Sequence, residues 1–321
     1  MNGRRILITG AGGFTGRHAV SHFHSAGAEV TAVVRRPPKE PNLFAQGVAT
    51  YICDLGDRAA VHAMIEAVRP DEVLHLAGRN SVPESWRDPL LYMETNVMAT
   101  LYLLESLRGR PAGRILVAGS RLKYRPGTVE GPPHPYSLSK TLEELVSLAW
   151  GTLFKQPVLL AEPCNLIGPG PSTGFCSLLA RHIAMSEAAA GVGEELPPFR
   201  LSSRYAQRDF LDVRDAVSAY DVILRRGETG RVYRIDSGKP RRLGDIASEL
   251  LSRASAPVPM DWGPEDSGPD RDSATAEASG READAYPAEV GAGVLGWKAE
   301  IPPARSLADI LDYYRGAGKE G

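Results

Sequence analysis

Through the first half of the chain, short apolar runs alternate with longer stretches in which apolar residues recur every three or four positions. RRILITG reads as a strand, followed by a helix from Thr15 to Ala26. Strands follow at Glu29–Val34 and Ala49–Cys53, then a helix near Arg58–Val68 and a strand over Glu72–Gly78. A long helix fits Leu90–Leu107, a strand Arg114–Ser120, a helix Tyr136–Phe154 and a strand Pro157–Glu162. Strands that alternate with helices predict a parallel sheet covered on both faces. The rhythm breaks after Glu162, where PCNLIGPGPSTG is rich in Gly, Pro and Ser and reads as loop. Helical pieces then recur at Phe175–Ala190, Val213–Arg225, Leu243–Ala254 and Leu307–Arg315, with a strand at Val232–Asp236. The polar, weakly patterned stretch from Gly263 to Asp284 reads as a mobile loop.

Composition narrows the picture. The 321 residues suggest two domains, or one domain with a large appended lobe. A formal net charge of -2 gives no electrostatic case for a nucleic-acid or membrane partner. Neither a signal peptide nor a membrane span is legible, so the cytoplasm is the expected location. Cys53, Cys164 and Cys176 show no zinc-type spacing and read as packing residues.

The first chemical signal is TGAGGFTG, Thr9 to Gly16, between the first strand and the first helix. Gly10 allows a tight turn, Gly13 lets the backbone approach a pyrophosphate, and Gly16 lets helix and strand pack closely. The helix N-terminus then faces the phosphates of a dinucleotide. The second strand ends at Val34 and continues with Arg35 and Arg36 rather than an acidic residue. Arginines there suit the 2'-phosphate of NADP. NAD stays open, because a cofactor that never leaves needs little such discrimination. Asp54, after the third strand, is placed to hydrogen-bond the adenine amino group.

The second signal is YSLSK, in which Tyr136 and Lys140 share one helix face. A cationic Lys140 stabilises a phenolate, so Tyr136 could exchange a proton with a sugar hydroxyl while hydride moves at its carbon. Ser120 ends the fifth strand, where its hydroxyl can reach the same oxygen, and Asn96 lies on the preceding long helix. His75 falls in a buried strand and reads as structural.

These motifs, with HLAG, NSVPESWRDP, PCNLIGPGP, QRDFLDVRD and LGWKAEIP, resemble the extended short-chain dehydrogenase/reductase family, in its NAD-dependent epimerase/dehydratase group, over nearly the whole chain. The resemblance implies an α/β fold: a Rossmann-type doubly wound parallel sheet with a smaller C-terminal α/β substrate lobe. It implies a dinucleotide-binding domain over residues 1–162 and a mainly substrate-binding lobe over 163–321, some segments returning to the first. Tyr136 would be the catalytic base, Lys140 its electrostatic partner and ribose ligand, Ser120 a second donor to the reacting C4 oxygen, and Asn96 part of the catalytic set. Phe14, Thr15, Leu55, Ala77 and Pro163 would join the cofactor contacts. Ser81, Val82 and Glu84 would border the sugar, Asn165 would lie near the substrate phosphates, and Arg208 would grip the diphosphate. A second diphosphate arginine is usual, and Arg271 and Arg281 are its candidates. A nucleotide-sugar substrate (UDP-, GDP- or dTDP-linked) and a homodimer are implied as well.

The chain departs from the family's 4,6-dehydratases directly after Ser120, where Arg121 and Leu122 stand in place of an acidic pair. Lys123, Tyr124 or Glu84 are the substitutes in reach of that role. Position 162 is Glu where relatives often carry Arg, and Cys164 replaces a common aromatic. The overall pattern resembles the branch of GDP-mannose dehydratases and GDP-4-keto-6-deoxymannose reductases, and also the tunicamycin-type hexosamine 5,6-dehydratases of antibiotic pathways. The expected function is transient C4 oxidation of a nucleotide hexose or hexosamine, with hydride returned after epimerisation or loss of water. The alternative is an NADPH-consuming 4-ketoreductase. A non-catalytic NADP-sensing protein is a third reading, set against the retained Ser/Tyr/Lys set.

Overall fold

The computed structural model describes residues 3–263 and 289–317, apart from Pro41, Thr128, Glu130 and Ser202. Two compact units emerge, each built from several chain segments. The first takes in Met1–Pro163, Val217–Ile235 and Ala283–Lys298. Its strands are β1 (Arg5–Thr9), β2 (Glu29–Val34), β3 (Ala49–Ile52), β4 (Glu72–His75), β5 (Arg114–Ala118) and β6 (Val158–Pro163). Later in the chain come β11 (Val232–Ile235) and β14 (Glu289–Gly291), numbered through both units. Together they form one parallel eight-stranded sheet in the order β14-β11-β6-β5-β4-β1-β2-β3.

The inner strands of the sheet are apolar on both sides. Leu7, Val33, Val73, Ile115 and Val117 pack on one face with Val61 and Met64 of α2 (Arg58–Val68) and Leu103 and Leu104 of α5 (Ala99–Gly109). Ile6, Ile8, Val30 and Ala32, on the alternate positions, are also buried, as are Ala19, Val20 and Phe23 of α1 (Phe14–Ser25). A strand with no solvent face needs cover on both sides, which the crossover helices supply. Local signals set the helix ends. Asp57 caps α2 by accepting from the backbone N–H of Ala59 and Ala60. His134 caps α6 (Pro135–Phe154), with Pro135 at its first position.

The long helix expected over Leu90–Leu107 runs unbroken but is not α-helical throughout. After α3 (Val82–Arg87), α4 (Pro89–Tyr92) passes into a π-helical turn at Met93–Met98 before α5 begins. Such a turn inserts a residue and rotates the side chains that follow, and Asn96 sits within it. β4 also stops at His75, three residues short of the expected end. The Thr9 hydroxyl accepts from the Leu76 and Ala77 backbone N–H there, taking the place of a ladder bond.

The second unit takes in Cys164–Ala216, Asp236–Glu282 and Ala299–Gly321. Its core joins α7 (Phe175–Ala190), α9 (Leu243–Leu251) and α10 (Pro303–Ala317) through Leu179, Ile183, Ile246, Leu250, Ile310 and Leu311. Two-stranded ladders accompany it: β7 (Asn165–Ile167) with β10 (Phe210–Asp212), β9 (Gln207–Arg208) with β12 (Arg241–Arg242), and β8 (Phe199–Arg200) with β13 (Met260–Asp261). The segment expected to be pure loop after Glu162 is therefore partly strand, because Asn165–Ile167 finds a parallel partner in Phe210–Asp212. α8 (Val213–Arg226) leads the chain back to the first unit. The segment expected to be a mobile loop falls, beyond Gly263, outside the described residues.

Candidate active site

The glycine loop bounds a cleft of about 610 Å³ at the ends of β1, β2 and β3. Gly10 has φ +64°, and a Cβ there would lie 2.7 Å from the Ala77 backbone nitrogen. A Cβ on Gly16 would lie 2.1 Å from the Gly10 carbonyl oxygen, so α1 can approach the loop only with glycine at this position. Gly13 caps α1 without a side-chain hydrogen bond, which leaves the N–H groups of the first turn to a ligand. Of the expected cofactor residues, Gly10, Gly13, Arg35, Arg36, Asp54, Leu55 and Ala77 line this cleft. Phe14, Thr15 and Gly16 form the first turn of α1, and Pro163 ends β6; these do not line it, nor do Tyr136 and Lys140. One Asp54 oxygen accepts from the Gly56 N–H at 3.0 Å. The backbone demands and the uncapped helix end fit a dinucleotide phosphate, and Arg35 and Arg36 fit a further anionic group.

Arg17 also lines the cleft, and the sequence reading passed over it. It donates to the Gly12 carbonyl at 3.2 Å and pairs with Glu40 through two 3.0 Å contacts. A cation in the first turn opposes the helix dipole, and that mismatch was the available signal.

The second cluster gathers where β5 ends and α6 begins. Tyr136 is buried and hydrogen-bonded to the Ser120 hydroxyl. Its ring stacks on His134 at 5.9 Å and meets Tyr92 edge-on at 6.2 Å. Lys140, one turn along α6, donates to the Ala118 carbonyl at 2.8 Å and ion-pairs with Glu143. Burial pushes the Tyr136 phenol up, while Lys140 and the Ser120 hydrogen bond pull it down and Glu143 pushes it up again; the net shift is upward. Ser120 Oγ also accepts from the Leu122 N–H at 3.1 Å.

Asn96 is buried and spends its amide on scaffold. Its Oδ1 accepts from the Arg79 N–H at 2.7 Å, and its Nδ2 donates to the Arg79 carbonyl at 3.1 Å and to Ser139 Oγ at 2.9 Å. It thereby ties the turn after β4 to α6 beside Lys140. Ser81 caps α3, and Val82 is that helix's first residue. Glu84 accepts from Arg79 at 2.6 Å and from the Tyr92 hydroxyl at 2.9 Å. Those two partners hold its carboxyl below the usual range, so it stays ionised. His75 is buried between Thr9 Oγ1 at 2.7 Å and Thr100 Oγ1 at 2.9 Å. Burial, then Lys140, lowers its pKa to about 3, and it is neutral.

The segment after Ser120 holds an unanticipated structure. Lys123 is buried and pairs with both oxygens of Glu144 at 2.8 and 2.9 Å, with Glu289 at 3.1 Å, and with Glu162. Burial lowers the Lys123 pKa, but Glu162 and Glu144 outweigh it, and the ammonium is held above its usual range. Burial holds the Glu162 carboxyl well above its usual range, with Lys123 opposing. Lys123 is thus committed to an ion cluster and is not available as the acid or base missing after Ser120. Tyr124 is fixed through its backbone, which both donates to and accepts from Thr141 Oγ1 at 3.0 Å.

In the second unit, Asn165 donates through Nδ2 to the Asp209 carbonyl at 2.9 Å. Arg208, half-buried, donates to the Gln207 carbonyl at 2.9 Å and sits opposite Arg241 in the β9–β12 ladder. Asp209 holds the turn at Ser237 and Gly238. Arg271 and Arg281 lie outside the described residues.

Residues 6–236 match the family model described as "NAD dependent epimerase/dehydratase family". The chain is 30% identical to the GDP-6-deoxy-D-mannose reductase of Pseudomonas aeruginosa, with 99% of each chain covered. It is 26% identical to the dTDP-glucose 4,6-dehydratase of Xanthomonas campestris pv. campestris, over 96% of this chain and 92% of that one. Among solved structures, RMD from Pseudomonas aeruginosa complexed with NADPH superposes with a TM-score of 0.74 at 27% identity, covering 97% of this chain and 99% of the other.

Proposed function

The chain belongs to the NAD dependent epimerase/dehydratase family, and on that premise we propose that it exchanges a hydride at C4 of the hexose of a nucleotide sugar while Tyr136 moves the proton on the C4 oxygen. It is an NAD(P)-dependent enzyme of the extended short-chain dehydrogenase/reductase class. The dinucleotide, when bound, supplies or accepts the hydride. The observation that carries the reading is the Ser120–Tyr136 hydrogen bond with Lys140 one turn along the same helix. Two hydroxyls converge there on one point, as proton transfer to a single substrate oxygen requires. In this reading the first unit holds the dinucleotide, and the second carries Asn165 and Arg208 for the substrate's diphosphate. No described helix is long and apolar enough to cross a membrane, and the reading places the enzyme in the cytoplasm. A homodimer is part of it too.

Two outcomes share the C4 step. In one, hydride leaves C4, the new ketone acidifies C5–H, and hydride returns after inversion or loss of water. In the other, a 4-keto sugar arrives from outside and is reduced with NADPH. Three observations favour the reductive outcome: no carboxyl directly follows Ser120, Lys123 is locked among carboxylates, and Glu84 is held ionised by Arg79 and Tyr92. Similarity to a GDP-6-deoxy-D-mannose reductase along the whole chain supports the same outcome.

The test is to incubate the protein with UDP-, GDP- and dTDP-hexoses and hexosamines without added cofactor, and with 4-keto-6-deoxy sugars plus NADPH, following products by mass spectrometry and proton NMR. Loss of water or an isomer of unchanged mass supports the first outcome; NADPH-dependent gain of two hydrogens supports the second. Near-normal turnover by Tyr136→Phe in either arm overturns the shared step.

A further inference from the structure

Glu143 stands outside every role assigned so far. It follows Lys140 by three positions on α6, is 1% exposed, and ion-pairs with the Lys140 ammonium. Its other oxygen lies 3.4 Å from the Thr100 hydroxyl of α5. Behind Thr100 is His75 of β4, neutral. The remaining titratable groups that face it, Tyr136 and Glu144, share its helix. An ammonium has three N–H donors. Glu143 and the Ala118 carbonyl take two of those of Lys140, leaving one for a ribose hydroxyl.

A buried carboxylate in contact with the lysine changes what the phenol experiences. Alone, Lys140 would present Tyr136 with a full positive charge in a low-dielectric setting, favouring phenolate. Paired with Glu143, it presents a dipole. We propose that Glu143 is a positioning residue that cancels much of the Lys140 charge, so that Tyr136 rests as a neutral phenol and donates its proton to a carbonyl, making a 4-keto nucleotide sugar the substrate class for which the site is built. This rests on the C4 hydride exchange proposed above and gives it a direction. In that reduction hydride from a reduced nicotinamide dinucleotide adds to C4, the carbonyl π pair moves to oxygen, and Tyr136 Oη gives that oxygen its proton. Solvent then reprotonates the phenolate. Burial pulls the Lys140 pKa down, but Glu143 and then Tyr136 raise it above the usual range, so the ammonium keeps its charge. Burial pushes the Glu143 carboxyl above its usual range, and Lys140 opposes that shift.

The experiment titrates Tyr136 in the cofactor-bound protein by the ultraviolet absorbance of tyrosinate, with Tyr136→Phe as the subtraction control. The wild-type midpoint is expected above that of an ordinary tyrosine, since burial pushes the phenol up. In Glu143→Gln and Glu143→Met it is expected to fall by about 1–2 pH units, as a lysine charge at close range and intermediate dielectric dictates. The alkaline limb of the pH–rate profile for reduction, where the proton donor is lost, should move down with it. A wild-type midpoint below about 8 overturns the proposal whether or not either variant folds. So does a midpoint unchanged in a folded variant whose only defect is a lower melting temperature. The phenol titration needs no sugar, so failure of every sugar in the activity panel would sink the C4 reading without moving this result.

Discussion

Replacing Lys123 with methionine keeps the length of the side chain and removes the cation that Glu144, Glu162 and Glu289 share. The burden then falls unevenly. Glu289 is 17% exposed at its side chain and can turn to water, whereas Glu144 and Glu162, at 1% and 2%, cannot. Breaking a buried pair by deleting one partner typically costs about 3–5 kcal/mol, because the remaining charge has no compensation. At roughly 2–4 °C per kcal/mol for a domain of this size, the melting temperature should fall by roughly 10 °C at pH 8. The loss should shrink in acid. Burial raises the Glu162 pKa in the folded state, so the folded protein binds protons that the unfolded chain releases. That contribution is fully present below the unfolded value of about 4.3 and is lost as pH rises. Deleting Lys123 removes the opposing cation and steepens the dependence. Differential scanning fluorimetry at pH 5 and pH 8 measures both effects. A deficit under about 1 kcal/mol at pH 8, or one equal at the two pH values, refutes the reasoning.

Three more outcomes are expected. Gly16→Ala should weaken cofactor binding at least tenfold by calorimetry, since its Cβ would sit 2.1 Å from the Gly10 carbonyl and force α1 off the loop. Arg35→Ala with Arg36→Ala should lower affinity for NADPH more than for NADH by about tenfold or more, as loss of charge-assisted contacts to a 2'-phosphate implies; equal losses would show that both arginines only face solvent. His75 has its pKa lowered to about 3 by burial, so stability is fully present above the unfolded value and falls as pH drops below about 6.5, by roughly 1.4 kcal/mol per pH unit. Urea unfolding at pH 7 and pH 5 should show that slope in the wild type and a flatter one in His75→Gln.

The sheet was legible because its strands are local, apolar and regularly spaced, and the glycine loop because strand, turn and helix follow one another without a gap. Ser120, Tyr136 and Lys140 were legible as types at fixed spacing. What escaped has a physical reason in each case. The π-helical turn at Met93–Met98 leaves the 3.6-residue pattern on either side intact, and one inserted residue is invisible to it. Asn165–Ile167 is a strand only because Phe210–Asp212 returns beside it, a non-local pairing hidden in a Gly/Pro-rich segment. The Lys123 cluster draws its charges from the segment after β5, from α6, from β6 and from β14. Charged side chains are read as solvated by default, and nothing in spacing joins positions that far apart. Glu143, only three positions from Lys140, was passed over because a charged side chain on a helix is read as solvated.

The order in which the sheet's strands occur along the chain matters during synthesis. β6 is buried over Val158–Ala161 and Glu162, yet its outer neighbour β11 is not made until Val232–Ile235, and β14 follows only at Glu289–Gly291. At about 5–20 residues per second on a ribosome, the apolar edge of β6 stands open for several seconds. An edge of that kind is a template for pairing with another chain. Yield at high expression rates should therefore depend on slow translation, low temperature or a chaperone that shields β6 until the later strands arrive.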